Sequence, residues 1–242
     1  MKNLCLAIFC ILNVLLYNGK AQAPASSASP DGPPALPLLA PKLPSWCQWT
    51  VDYRYKTSNP LDAPRPQQKV VVQTGSIRHE VEKFERGSQE ESWATGQAVV
   101  VKKSDSPRLV TIFKDSTPGA EFPEFNWIAL SNFKGRMKID GVNCLIFRQM
   151  ITPLRIGHPE LFGSAPSSPN DDGAFGTSRI EVTAMIVESS RLPLELQMPT
   201  ETRRYTFLQP PVQMLEPPAE FLAAAKEGQA RIESTTHPLS PP

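Results

Sequence analysis

The feature that most constrains this chain is a period of two. Across residues 179–208, Ile180, Val182, Ala184 and Ile186 take alternate positions. After the turn residues 188–191 the alternation resumes at Leu192, Leu194, Leu196 and Met198, with Pro193, Glu195 and Gln197 between them. A strand sends successive side chains to opposite faces, so this spacing builds one apolar face, which a helix at 3.6 residues per turn would scatter. Pro193 has no N–H to give a ladder and belongs at the start or edge of its strand. Residues 203–208 add a third strand with Tyr205 and Phe207 on one side. Three strands with one apolar face need cover from the rest of the chain.

The same period recurs upstream. In residues 46–56, Cys47, Trp49, Val51, Tyr53 and Tyr55 alternate with Gln48, Thr50, Asp52, Arg54 and Lys56. Residues 68–74 and 76–84 read as further strands, the latter with Ile77, His79 and Val81 facing one way and Glu80 and Glu82 the other. Residues 92–102 read as one strand, with Val99 and Val101 in phase and Gly96 as a bulge, and residues 108–114 as the next. Residues 125–130 are apolar and of no assigned type. Residues 135–140 turn at Asp140-Gly141, a hairpin signal, into a return strand, 142–150. There Cys144 and Ile146 occupy one face and Leu145 and Phe147 the other, which predicts cover on both sides. Pro218 fits the first turn of a helix over 219–227, with Phe221, Leu222 and Ala225 on one face and Gly228 as its stop. The fold class is therefore mainly β, an antiparallel sheet with one short C-terminal helix.

The ends set the compartment. Lys2, the apolar run 4–16 and Ala21-Gln22-Ala23 form the pattern of a secretory signal peptide over residues 1–23. That run is short for a bilayer span, which takes about 20 residues. Removing it takes away Lys2 and Lys20 and no acid, so 23 basic residues face 24 acidic ones. With no basic block, nucleic-acid binding has no electrostatic footprint. Residues 24–45 are rich in Pro, Ala, Ser and Leu and read as a linker; residues 46–228 form one antiparallel β domain, and 229–242 a flexible tail. The protein is expected to be exported, periplasmic in a Gram-negative host and secreted otherwise, with no transmembrane segment in the mature chain.

Cys5 and Cys10 leave with the signal, so the mature chain keeps Cys47 and Cys144. In an oxidising compartment these are most simply a disulfide, with two separate buried thiols as the alternative. No metal or cofactor site is expected. His158 and His237 lie in irregular segments, and His79 faces away from Glu80 and Glu82 on its strand. Asp171-Asp172-Gly173 lacks the further ligand spacing of a calcium loop and reads as a solvated turn. Without a G-x-S-x-G elbow, an H-E-x-x-H or a P-loop, the chain reads as non-catalytic.

Several residues carry a family resemblance. Gly135 and Gly141 with Cys144 and Phe147, Ala184 to Glu188 followed by Arg191-Leu192-Pro193, and Tyr205 to Phe207 followed by Leu215-Glu216-Pro217-Pro218 and Phe221 resemble the exported lipoprotein-carrier-like proteins of the LolA/LolB fold. The resemblance covers roughly the second half of the mature chain. It implies a curved antiparallel sheet forming a half-barrel over an apolar cavity, and binding of a lipid or another apolar ligand. Members usually cover the cavity with several helices, whereas one is evident here. No lipoprotein-handling motif matches residue by residue, so no functional position is carried over.

The candidate ligand contacts are Trp49 and Tyr53 on the apolar face of the first strand, and Leu161 and Phe162 within the long insertion 151–178. These last two are expected to dock rather than stay in water, since leaving each exposed costs about 1.5–3 kcal/mol. Two readings stay open: a carrier or sensor with an apolar ligand, and an envelope scaffold binding a protein partner, its sheet filled by its own side chains. Alternation cannot separate them, because both make one face apolar.

Overall fold

The computed structural model describes residues 32–56, 64–96, 98–113, 121–152 and 179–236. The expected signal peptide, Leu161 and Phe162, His158, His237 and the Asp171-Asp172 turn lie outside the described residues.

Eleven strands follow one another in the chain: β1 (Trp46–Tyr55), β2 (Pro66–Thr74), β3 (Ile77–Phe84), β4 (Gln89–Thr95), β5 (Ala98–Lys103), β6 (Leu109–Phe113), β7 (Phe133–Ile139), β8 (Val142–Ile151), β9 (Ile180–Val187), β10 (Pro193–Gln197) and β11 (Glu201–Leu208). They form one sheet in the order β6-β5-β4-β3-β2-β1-β11-β10-β9-β8-β7, with every neighbouring pair antiparallel. The sheet is open, with β6 and β7 as its edges. The long-range closure is β1 against β11, which pairs Trp49 with Phe207 and Val51 with Tyr205. Two meanders, one from each half of the chain, are thereby joined.

Local chemistry explains the turns. Asp140 and Gly141 both have positive φ, 48° and 85°, the backbone that a two-residue hairpin with right-handed strand twist requires. Gly96 (φ 61°) is a turn rather than the expected bulge. The predicted single strand 92–102 is instead the β4–β5 hairpin, in which Thr95 pairs with Ala98. Pro193 opens β10 at a register shift, where its missing N–H costs no ladder bond. The expected cover on both faces of β8 is present, since Cys144, Leu145, Ile146 and Phe147 are all buried.

The registers fix two faces. Trp49, Val51 and Tyr53 share a face with Tyr205 and Phe207, and through Leu196 and Ala184 with Phe147. This core face holds the main apolar cluster. It is covered by residues 121–132, an irregular segment with two single 3₁₀ turns, Pro123–Phe125 and Leu130–Asn132. That segment drives Phe122, Phe125 and Trp127 into the core. Leu38 and Leu43 join them, so part of the Pro-rich stretch expected to be a linker is core. Ala40 N–H donates to the Arg191 carbonyl at 2.9 Å and Gly75 N–H to that of Ser45 at 2.8 Å, tying the stretch to two turns.

The opposite face, over β3–β6, carries the one α-helix among the described residues, α1 (Ala219–Thr236). Phe221 packs on Trp93 and Val100, and Thr111 Oγ1 donates to the Ala224 carbonyl at 3.1 Å. The helix outruns its expected end at Gly228. An interior glycine costs only about 1 kcal/mol, and the residues after it are compatible with helix, including the Arg231–Glu227 pair.

The expected Cys47–Cys144 disulfide is not formed; both thiols are free and buried. The topology gives the reason. Three strands, β11, β10 and β9, lie between β1 and β8, which is roughly 19 Å along the sheet at about 4.8 Å per step, against a bridging limit of about 7 Å. The registers also put Cys47 with Trp49 on the core face and Cys144 on the other. Burial raises the pKa of both thiols, which disfavours the reactive thiolate.

Candidate functional site

On the core face, strands β11, β1, β2 and β3 present a mixed set of side chains. Val51 of β1 lies beside Lys69 of β2, and Val71 beside Glu80 of β3; on the other side, Tyr53 lies beside Arg203 of β11. Charges thus sit in register with core residues. Residues 121–124 arch over this part of the sheet, and the space between is a cleft of ≈ 300 Å³. Trp49, Val51, Val71, Phe122 and Pro123 supply its apolar lining, and Tyr53 and Tyr205 its hydroxyls. Its charged lining is Lys69, Arg78 and Arg203 with Glu80, Glu121 and Glu124.

The charges are partnered. Glu80 takes Lys69 Nζ at 2.6 Å on one oxygen, while its other oxygen lies 2.5 Å from Arg78 Nε. The Arg78 contact is an ion pair in which the buried Nε–H makes no well-directed hydrogen bond. Arg78 also donates through Nη1 to Glu121 at 3.3 Å and lies 5.0 Å from the centre of the Trp49 ring. Arg203 pairs with Glu201 at 2.7 Å and lies 5.4 Å from the centre of the Tyr53 ring. Two tyrosine hydroxyls complete the set: Tyr205 donates to Glu124 at 2.7 Å and Tyr53 to Glu82 at 3.2 Å.

Burial pushes the Tyr53 and Tyr205 hydroxyls well above their ordinary pKa, and the nearby Glu82 and Glu124 carboxylates push the same way. For Lys69, burial acts downward but Glu80 more than offsets it, so the ammonium is held more firmly than usual. The cleft is a network of paired charges and hydrogen-bonded tyrosine hydroxyls.

Of the residues read from sequence as ligand contacts, Trp49 and Tyr53 both line the cleft, while Leu161 and Phe162 lie outside the described residues. Trp49 is only 2% exposed, packed against Phe122 at 5.9 Å and Phe207 at 6.1 Å. It offers the cleft little more than an edge. Sequence reasoning did not find Lys69, Arg78, Glu80, Glu121, Glu124, Arg203 or Tyr205. The alternation in β3 separates Glu80 and Glu82 from Ile77, His79 and Val81 but does not say which face is covered; both faces of this strand are partly buried. Only the β2–β3 register reveals that Glu80 lies beside Val71.

His79 belongs to the opposite face. Its ring stacks on Trp93 at 4.1 Å, and Nε2 lies 2.9 Å from Glu91 Oε1, which also accepts from Trp93 Nε1 at 2.9 Å. This trio supports the packing of α1. Among the described residues no three His, Cys, Asp or Glu side chains gather as a metal site.

No protein-family model matches the sequence, and no curated protein matches it. Among solved structures, the chain is similar to the crystal structure of the Mycobacterium tuberculosis lipoprotein LppX. That similarity covers 71% of this chain and 90% of the other, at 13% sequence identity and a TM-score of 0.39.

Proposed function

We propose that this chain is an exported, non-catalytic binding protein that holds a small amphiphile in the cleft between residues 121–124 and strands β11, β1, β2 and β3. The observation that carries the reading is the cleft's composition: Trp49, Val51, Val71, Phe122 and Pro123 at its base with a larger set of charged and hydroxyl groups converging on the same space. Concave sites that join apolar contact to convergent polar groups are where ligands bind. Export rests on the basic start, apolar run and Ala-x-Ala pattern of residues 1–23. The lipid or other apolar ligand anticipated from the sequence is narrowed to a small amphiphile, because most of the core face is already filled by Phe122, Phe125, Trp127, Leu38 and Leu43.

The test is native mass spectrometry of the protein purified from its host. A co-purified small molecule, lost in Arg78→Leu with the fold intact, supports the reading. A clean apoprotein that also ignores added amphiphiles overturns it.

The self-filled core favours a second reading, an envelope scaffold that binds a protein partner and no ligand. Val110 and Ile112, on the core face of edge strand β6, are 50% and 51% exposed, and an uncharged edge of this kind accepts an added strand. Retention of a specific envelope protein, lost in Val110→Lys, would support it.

A further inference from the structure

We propose that the polar part of the ligand is a neutral, hydroxyl-rich ring, a sugar or cyclic polyol, and not an ionic head group. The inference rests on the cleft being the binding site and names the class of ligand it takes.

Charge balance is the first argument. The lining holds three cations, Lys69, Arg78 and Arg203, and three anions, Glu80, Glu121 and Glu124. The cations are already paired with protein carboxylates, Lys69 with Glu80 at 2.6 Å, Arg78 with Glu121 at 3.3 Å and Arg203 with Glu201 at 2.7 Å. A phosphate or carboxylate entering here would compete with Glu80 for Lys69 and Arg78 and with Glu121 for Arg78, setting like charges side by side. A cation entering would meet Lys69, Arg78 and Arg203 at like charge. Either ionic head group is penalised, because disturbing partly buried ion pairs is costly.

A hydroxyl avoids the exchange. It donates one hydrogen bond and accepts others, so it can bridge a carboxylate and a guanidinium while both stay paired. A ring bearing several hydroxyls matches a wall on which donors and acceptors alternate. Arg78 supplies the second argument: its Nε–H makes no well-directed hydrogen bond to Glu80, and a ligand hydroxyl can accept from the guanidinium without bringing charge. The third is that Trp49, Phe122 and Tyr205 line the cleft only by their edges, an apolar contact small enough to suit the C–H groups of a sugar ring. The cleft, ≈ 300 Å³, is at the small end of ligand pockets and suits one ring.

Isothermal titration of the full chain with four probes tests this: n-octyl β-D-glucoside below its micelle concentration, octyl sulfate, octyltrimethylammonium and D-glucose. The glucoside is expected to bind at least tenfold more tightly than either ionic probe, and its affinity to change less than twofold between 0.05 and 0.5 M salt, roughly what screening leaves for a neutral ligand. Arg78→Lys, which keeps the charge and removes Nε–H, should weaken glucoside binding about tenfold with unchanged circular dichroism. An ionic probe that binds as tightly as the glucoside overturns the neutral head group and leaves the cleft standing as an amphiphile site. D-glucose binding as tightly as the glucoside supports the inference and identifies a free sugar, overturning the amphiphile. Failure of all four overturns both.

Discussion

Truncating Phe125 to alanine tests whether residues 121–132 are part of the core or a dispensable loop. The ring is fully buried and packs edge-on against Tyr205 at 5.4 Å and Phe122 at 6.4 Å. Among the described residues, the segment's backbone hydrogen bonds close within it, from Phe125 N–H to the Phe122 carbonyl through Asn132 N–H to that of Ala129. Its hold on the sheet therefore comes from side chains: the aromatic rings, Arg78–Glu121, Tyr205–Glu124 and the Asn132–Gln149 amide pair. A buried Phe→Ala change costs about 3–5 kcal/mol. For a domain of this size each kcal/mol moves Tm by about 2–4 °C, so Phe125→Ala should melt roughly 6–20 °C lower. Urea unfolding is the assay, with a lower midpoint at unchanged m. A loss under about 1 kcal/mol would refute the argument, showing that the sheet does not depend on the segment.

Three further outcomes follow from the same contacts. Because Tyr53 and Tyr205 hold their protons above the ordinary pKa, the folded chain binds more protons than the unfolded one once the pH passes about 10. Their contribution is thus intact below that pH and falls by up to about 1.4 kcal/mol per group per unit above it; Tyr205→Phe should flatten the fall in an alkaline urea series. Cys47 and Cys144 are buried free thiols, so the mature protein should give no reaction with a thiol reagent when native and two thiols when denatured without reductant; a protein lacking free thiols would contradict the topology. Glu91→Leu should destabilise by about 1–3 kcal/mol, by leaving Trp93 Nε1–H and His79 without their shared acceptor, while Glu91→Gln, which keeps an acceptor, should recover most of that in thermal melts.

The strands were readable because period two leaves a direct trace: β1, β3, β8 and β9 lie within a residue or two of their expected bounds. The turn at Asp140-Gly141 was readable for a similar reason, being set by the conformational needs of two residues. Pairing across the chain was not. That β1 closes on β11 depends on which faces fit after both meanders form, and the misplaced disulfide follows from lacking that information. The cleft was hidden because a charged residue in a strand carries no local sign of whether its face is covered. Glu80 and Arg78 stand on a strand covered on both faces, and their burial is legible only beside Val71 and Trp49. The anchoring of Leu38 and Leu43 was masked by prolines, which exclude helix and central strand but not docking of an extended segment.

The central claim is that ligand enters the cleft over β11, β1, β2 and β3. Amide and indole chemical-shift mapping of the full chain during titration with n-octyl β-D-glucoside tests it most directly. The account predicts concentrated shifts at the Trp49 indole N–H and at the backbone amides of Lys69, Val71, Arg78, Glu80, Glu121, Glu124, Arg203 and Tyr205, with the helix α1 undisturbed. Shifts centred instead on Val110 and Ile112 at the β6 edge, or none anywhere, would contradict it.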